Sequence, residues 1–244
     1  MAYFFLHRRR LDLLALFVAT VFIIWTPWTV RNYLTFDRIM PFGGAGNYNF
    51  WIGNHPGGNG EQETGEEMAN FLSEHGAIAL YDASMPGFMS FVRAEPLEFI
   101  KLTILRANRY FSIIRPMGFW FYDTGWSQAA FVASSALASV LLFVFGLYGL
   151  MRAWREREPA LSYLVALIIL TPLILFVTVV ETRYRFQIYP LLAVLAGFGA
   201  VDWVKEMGWK KKAFVAAVAL VLVNGAADLA MSWELVAERA GMWW

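Results

Sequence analysis

Two arginines raise the chemical question in this chain. Arg183 and Arg185 stand two residues apart in the run ETRYRF, at residues 181–186, directly ahead of an apolar stretch. If that stretch is a helix with its amino end here, its free N–H groups and positive dipole end face the same place as both guanidinium groups. Such a place binds anions, and the planar guanidinium fork suits phosphate oxygens. The opposing reading is structural: both side chains reach water, with Glu181 as ion-pair partner. Arg31, just beyond Trp28, poses the same choice more weakly.

Asn47, Asn49, Asn54 and His55 form a second polar set, in a segment rich in glycine. Amides both donate and accept, so these side chains suit sugar hydroxyls or a phosphate. They equally suit the capping of turns in a glycine-rich loop. His7, His55 and His75 are too scattered for a metal-ligand spacing, and no metal or cofactor is expected. Phosphate-binding P-loops, nucleophile elbows and paired dinucleotide fingerprints are missing. A general base needs a carboxylate within reach of the acceptor hydroxyl. Glu61, Glu63, Glu66 and Glu67 sit in an acidic run whose plain role is solubility, so the catalytic residue stays unassigned. Asp228 and Asn224 lie one turn apart inside an apolar stretch, which makes them functional suspects. Asp228 is nearer the outer end and is expected to meet water.

The elements that must position these groups are membrane helices. Hydrophobic residues make up 59% of the chain, above the ~45–50% of ordinary soluble domains. Five apolar runs approach the ~20 residues of a spanning helix: 11–28, 129–151, 160–180, 186–204 and 213–231. Span four tolerates Pro190 because it falls in the first turn. Basic clusters at residues 7–10, 152–157 and 205–212 alternate between spans and prefer the cytoplasm. The expected fold is mainly α: a polytopic bundle of about five spans with one large extracytoplasmic loop domain holding short amphipathic helices.

Its parts are an anchor span at 1–28, the loop at 29–128, a four-span bundle at 129–231 and an external tail at 232–244. The amino terminus lies in the cytoplasm and the carboxyl terminus outside. The first span is too long for a cleaved signal peptide and no small-x-small site follows it, so it is expected to stay as an anchor. Without cysteine, packing and the membrane must hold the loop. The net charge of +1 and the lack of a basic-aromatic motif give no sign of a nucleic-acid partner.

Within the loop, residues 42–60 read as irregular, 61–79 as a short acidic helix and 84–114 as helix interrupted near Pro96. On a helical wheel, Leu97, Phe99, Ile100, Ile104, Tyr110 and Phe111 fall in one half of 96–114. Glu98, Lys101, Arg106, Asn108 and Arg109 fall mainly in the other. The apolar half either lies in the headgroup layer or packs on the loop's own core. Phe119, Trp120, Phe121, Tyr122 and Trp126 lead into span two as a boundary anchor.

These stretches carry a resemblance. WTVRNYLTFDRIMPFGGAGNYNFWIGN resembles the W-T-x-R-N-Y … G-x-N-L-Y-I-G-N segment of bacterial polytopic glycosyltransferases of the GT-C fold, of the family-39, mannosyltransferase-like kind. ETRYRFQIYPLLAVLAGFG resembles their late R-Y-R-x-x-x-x-P … L-A-G-x-G span, and AEPLEFIKLTILRANRYFSIIRP looks like their periplasmic amphipathic helix. The similarity runs from about Arg8 to Val204.

It implies transfer of a sugar from a polyprenyl-phosphate donor to a lipid, glycan or protein acceptor at the outer face of a bacterial inner membrane. Arg183 and Arg185 would contact the donor phosphate. Arg31, Asn47, Asn49, Asn54, His55, Glu181 and Tyr184 would wall the cavity. The family's acidic catalytic loop follows its first span, whereas here Trp28 is followed by Thr, Val, Arg and Asn. The chain therefore reads as a carboxyl-terminal half, inactive alone and partnered by membrane lipid and a separately encoded amino-terminal half. A non-catalytic membrane subunit that binds a partner or glycan is the alternative. A transporter has only Pro172 in its favour.

Overall fold

A computed structural model describes residues 11–41, 45–61, 65–115, 125–157, 159–201 and 208–241. The described residues are helical, with no strand among them. The basic cluster at 7–10, Glu63, Lys205 and the aromatic residues 119–122 lie outside them. The chain divides into two compact units, Met1–Ile100 and Lys101–Trp244.

In the first unit, α1 (Leu11–Phe36) runs eight residues past Trp28 with Pro27 inside it. Asn32 is the one side chain that α1 buries; its amide donates to the Met40 carbonyl at 2.9 Å and so turns the chain beyond the helix end. Leu11, Phe22, Ile23 and Ile24 are exposed along the rest. The glycine- and asparagine-rich segment, expected to be irregular, contains α2 (Ala45–Ile52). It packs on α3 (Glu66–Ala94) through Trp51 against Phe71 and Phe50 against Phe88, ring centroids 5.8 and 5.2 Å apart. Glu66 and Glu67 open α3, where its dipole favours them. Gly76, at φ 80°, kinks α3. The helix ends at Glu95 because the residue before proline avoids helical geometry. From Pro96 the chain continues as α4 (Pro96–Tyr110).

The second unit holds α5 (Gly125–Glu156), α6 (Pro159–Leu170), α7 (Leu173–Val177), a 3-10 turn (Thr182–Gln187), α8 (Tyr189–Ala200), α9 (Trp209–Met231) and α10 (Trp233–Gly241). The closest pairing is α5 against α8, with α9 on the side of α5. Glycine permits it: a Cβ on Gly149 would stand 1.9 Å from the Leu195 carbonyl oxygen, and one on Gly199 2.6 Å from that of Phe145. Tyr110, Phe143, Ile188 and Leu195 fill the core beside this contact.

Three helices, α1, α5 and α9, are long and apolar enough to cross a bilayer, and they mark a membrane protein. At about 1.5 Å per residue they exceed the ~30 Å hydrocarbon layer. The stretches 160–180 and 186–204, expected as single spans, form shorter pieces. Pro172 lacks an N–H, and the chain breaks between α6 and α7 at Thr171–Pro172. Before α8, residues 182–187 wind as a tighter turn, and Pro190 sits in the first turn of α8.

Candidate functional site

Arg185 is fully buried. Its guanidinium donates to the main-chain oxygens of Arg109 and Ser112, both at 2.8 Å, and of Arg115 at 3.2 Å. These are the orphan carbonyls at and beyond the end of α4, so Arg185 serves as a cap for that helix. Three hydrogen bonds thereby commit its guanidinium to protein. Arg183 is exposed, pairs with Glu181 and lies 5.6 Å from the Tyr184 ring centre. Of the two, Arg183 is the cation that faces outward.

Three more arginines gather around this cap. Arg106 donates to the Phe176 and Val177 carbonyls at 3.0 and 3.4 Å, at the end of α7. Burial, helped by Arg109, lowers the Arg106 pKa to about 10, which still leaves it charged at neutral pH. Arg115 grips Asp228 with two hydrogen bonds, 2.8 and 3.2 Å, and donates to Ser232 at 2.9 Å. Arg109 Nε lies 3.8 Å from the same carboxylate. Asp228 is therefore completely buried rather than at water, because a guanidinium more than a hundred residues away covers it. Four buried guanidinium groups stand here against a single described carboxylate, Asp228.

The helical wheel of α4 explains the cluster. Arg106 and Arg109 point inward with Leu102 and Tyr110, while Leu97, Ile100 and Ile104 are exposed. The apolar half is thus split: Phe99 packs on Phe88, ring centroids 5.9 Å apart, and Tyr110 and Phe111 join the core, while Leu97, Ile100 and Ile104 stay exposed. In water this inversion would be costly; against lipid it is favourable. Tyr110, enclosed by the same packing, has its phenol pushed up to about 12 by burial.

Beside the cluster lies a cavity of about 570 Å³, walled by α4, α5, α6, α7, α8 and α9. Phe143, Leu147, Ile168, Phe176, Leu192 and Val221 are among its lining residues, and none of the described lining residues is charged. Its polar feature is an amide pair: Asn108 Nδ2 donates to Asn224 Oδ1 at 2.8 Å, and Asn224 Nδ2 to the Asn108 carbonyl at 3.0 Å. Phe143 and Phe176 belong to both places, since Arg185 lies 5.9 Å from the Phe143 ring and Arg106 bonds the Phe176 carbonyl. Sequence reasoning singled out Asn224 and Asp228 but missed their partners Asn108 and Arg115. The cue available was the spacing of Arg106, Arg109 and Arg115 ahead of the second span.

The other expected residues belong to the first unit. Arg31 packs 5.3 Å from the Trp28 ring and donates to Asn32. Asn47 and Asn49 are half-buried on α2. Asn54 is buried and donates to the Phe50 carbonyl at 2.7 Å, closing the end of α2. His55 packs so closely on Gly65 that a Cβ there would meet its ring at 2.9 Å. Glu61 closes a turn with Asn59. The structure brings Glu181, Arg183, Tyr184 and Arg185 together, and places Arg31 and the Asn47–His55 set in a separate unit. The chain matches no protein-family model, no curated protein and no solved structure.

Proposed function

We propose that this chain is the carboxyl-terminal portion of a membrane glycosyltransferase that uses a polyprenyl-phosphate sugar donor at the outer face of a bacterial inner membrane. The observation that carries the reading is the cavity of about 570 Å³, with no charged side chain among its described lining residues, lying beside four buried guanidinium groups. An apolar chain fits the first, and guanidinium groups are the side chains that suit phosphate oxygens. In this reading Arg183, exposed in the 3-10 turn ahead of α8, supplies the fork for the headgroup. No carboxylate is among the described lining residues, and this reading has the general base come from a separate polypeptide, the chain being inactive alone.

Five crossings accompany the proposal, with α6–α7 and the turn before α8 completing two short spans over residues 159–177 and 182–200. The loop 29–128 and the tail then lie outside. The exposed Leu97, Ile100 and Ile104 suit a helix in the headgroup layer.

A photoactivatable polyprenyl phosphate tests the site directly. It should label α6 and α9 near Ile168 and Val221, and unlabelled polyprenyl phosphate should compete far better than the uncharged alcohol. Equal competition by the alcohol, or labelling elsewhere, would overturn the proposal.

A further inference from the structure

The opposite end of α5 and the start of α9 carry cations that no part of the proposed transfer reaction uses. Arg155 of α5 lies 4.5 Å from the ring centre of Trp209 on α9, so the two helices join through a cation-π contact. Glu156 is taken up internally: it accepts from Arg152 at 3.3 Å and meets Lys210 at 3.4 Å. Arg152 in turn donates to the Phe198 carbonyl at 3.0 Å. What remains at the surface is Arg155, Arg157, Lys211 and Lys212, all exposed, beside Trp154 at 74% exposure. Residues 152–158 and 202–212 together hold seven cations and four carboxylates, a balance of +3.

We infer that this end of the bundle is a docking surface for anionic phospholipid headgroups. α5 and α9 are both membrane-spanning by length and composition, so their shared end lies at headgroup depth. The lysines occupy the first turn of α9, where the helix dipole disfavours cations and no side chain caps the N–H groups, so an anion there offsets a cost. Arg157 is held at φ 54°, a conformation that non-glycine residues seldom adopt. Topological preference alone explains cations near this end. It does not require them to converge from two helices, nor an arginine to lie over an indole beside an exposed tryptophan. Positive charge with interfacial aromatics is the complement of a phosphate-bearing lipid surface. The inference rests on the membrane-spanning helices and not on glycosyl transfer, so either can fail without the other.

The test uses the whole chain in detergent, titrated with phosphatidylglycerol or phosphatidylcholine, and reads the unfolding midpoint and the lipid retained in native mass spectrometry. Phosphatidylglycerol should raise the midpoint at low salt and be retained over phosphatidylcholine on the order of tenfold. The preference should vanish in R157Q/K211Q/K212Q and at high salt, and survive in K211R/K212R. The triple variant should melt like the wild type in phosphatidylcholine. If it fails to fold, the wild-type lipid preference and its salt dependence decide. Equal retention of the two lipids, a triple variant with undiminished preference, or an equal midpoint shift from inorganic phosphate alone would overturn the inference.

Discussion

A buried guanidinium group that gives its N–H groups to helix-terminal carbonyls gains hydrogen bonds and the negative end of a dipole in place of water. Arg185 does this for α4, Arg106 for α7 and Arg152 for α8. Replacing Arg185 with Met should therefore destabilise the second unit by about 2 kcal/mol or more, since charged hydrogen bonds to buried carbonyls are lost together. Asp228→Asn should cost more, about 3–5 kcal/mol, because Arg115 and Arg109 would lose the buried charge of Asp228. Arg183→Gln should cost less than ~1 kcal/mol, as its pairing with Glu181 is solvent-exposed. Thermal unfolding of the purified variants gives this order directly. In an assembled enzyme the ranking for donor affinity should reverse for Arg183, with weaker binding and an unchanged midpoint. A parallel loss of stability and affinity in R183Q would remove its role at the phosphate.

Helices in this chain are read differently by sequence and by packing, and α4 shows why. A wheel identifies two faces, but it does not say which faces inward; that depends on whether water or lipid lies outside. Arg106 and Arg109 turn inward because carbonyl ends and Asp228 await them there, and those partners lie far along the chain. The apolar runs and the break before Pro96 were legible, since composition and proline act locally. The pieces 159–177 and 182–200 were legible as apolar but not as interrupted. The α5–α8 contact depends on Gly149, so Gly149→Leu should force the helices apart and cost about 3 kcal/mol or more, seen as a lowered unfolding midpoint. Gly197→Ala, with open space at its Cβ position, is the control and should leave the midpoint within ~1 kcal/mol of wild type.

At the scale of the whole molecule, many large apolar side chains are exposed while a set of charged ones is buried. Phe22, Ile23, Leu137 and Leu222 are exposed while Arg106, Arg115, Arg152, Arg185 and Asp228 are buried, the arrangement that lipid as a solvent selects. The site was legible in the sequence as far as its guanidinium groups, because arginine beside an apolar run is conspicuous. The cavity was not, because its walls come from six helices and no local pattern encodes a void. Orientation is the remaining whole-molecule consequence, and the lack of cysteine makes it readable, since any introduced thiol is the sole target. A cysteine at Ser73 of α3 should react with a membrane-impermeant maleimide in intact cells, as should one at Thr182. One at Lys211 should react only after the membrane is opened. The positive-inside preference demands this alternation, with clusters at 152–157 and 205–212 on the cytoplasmic side. If Thr182 and Lys211 label from the same side, α8 and the segment after it do not cross. Arg183 would then lie in the wrong leaflet for an outer-face donor.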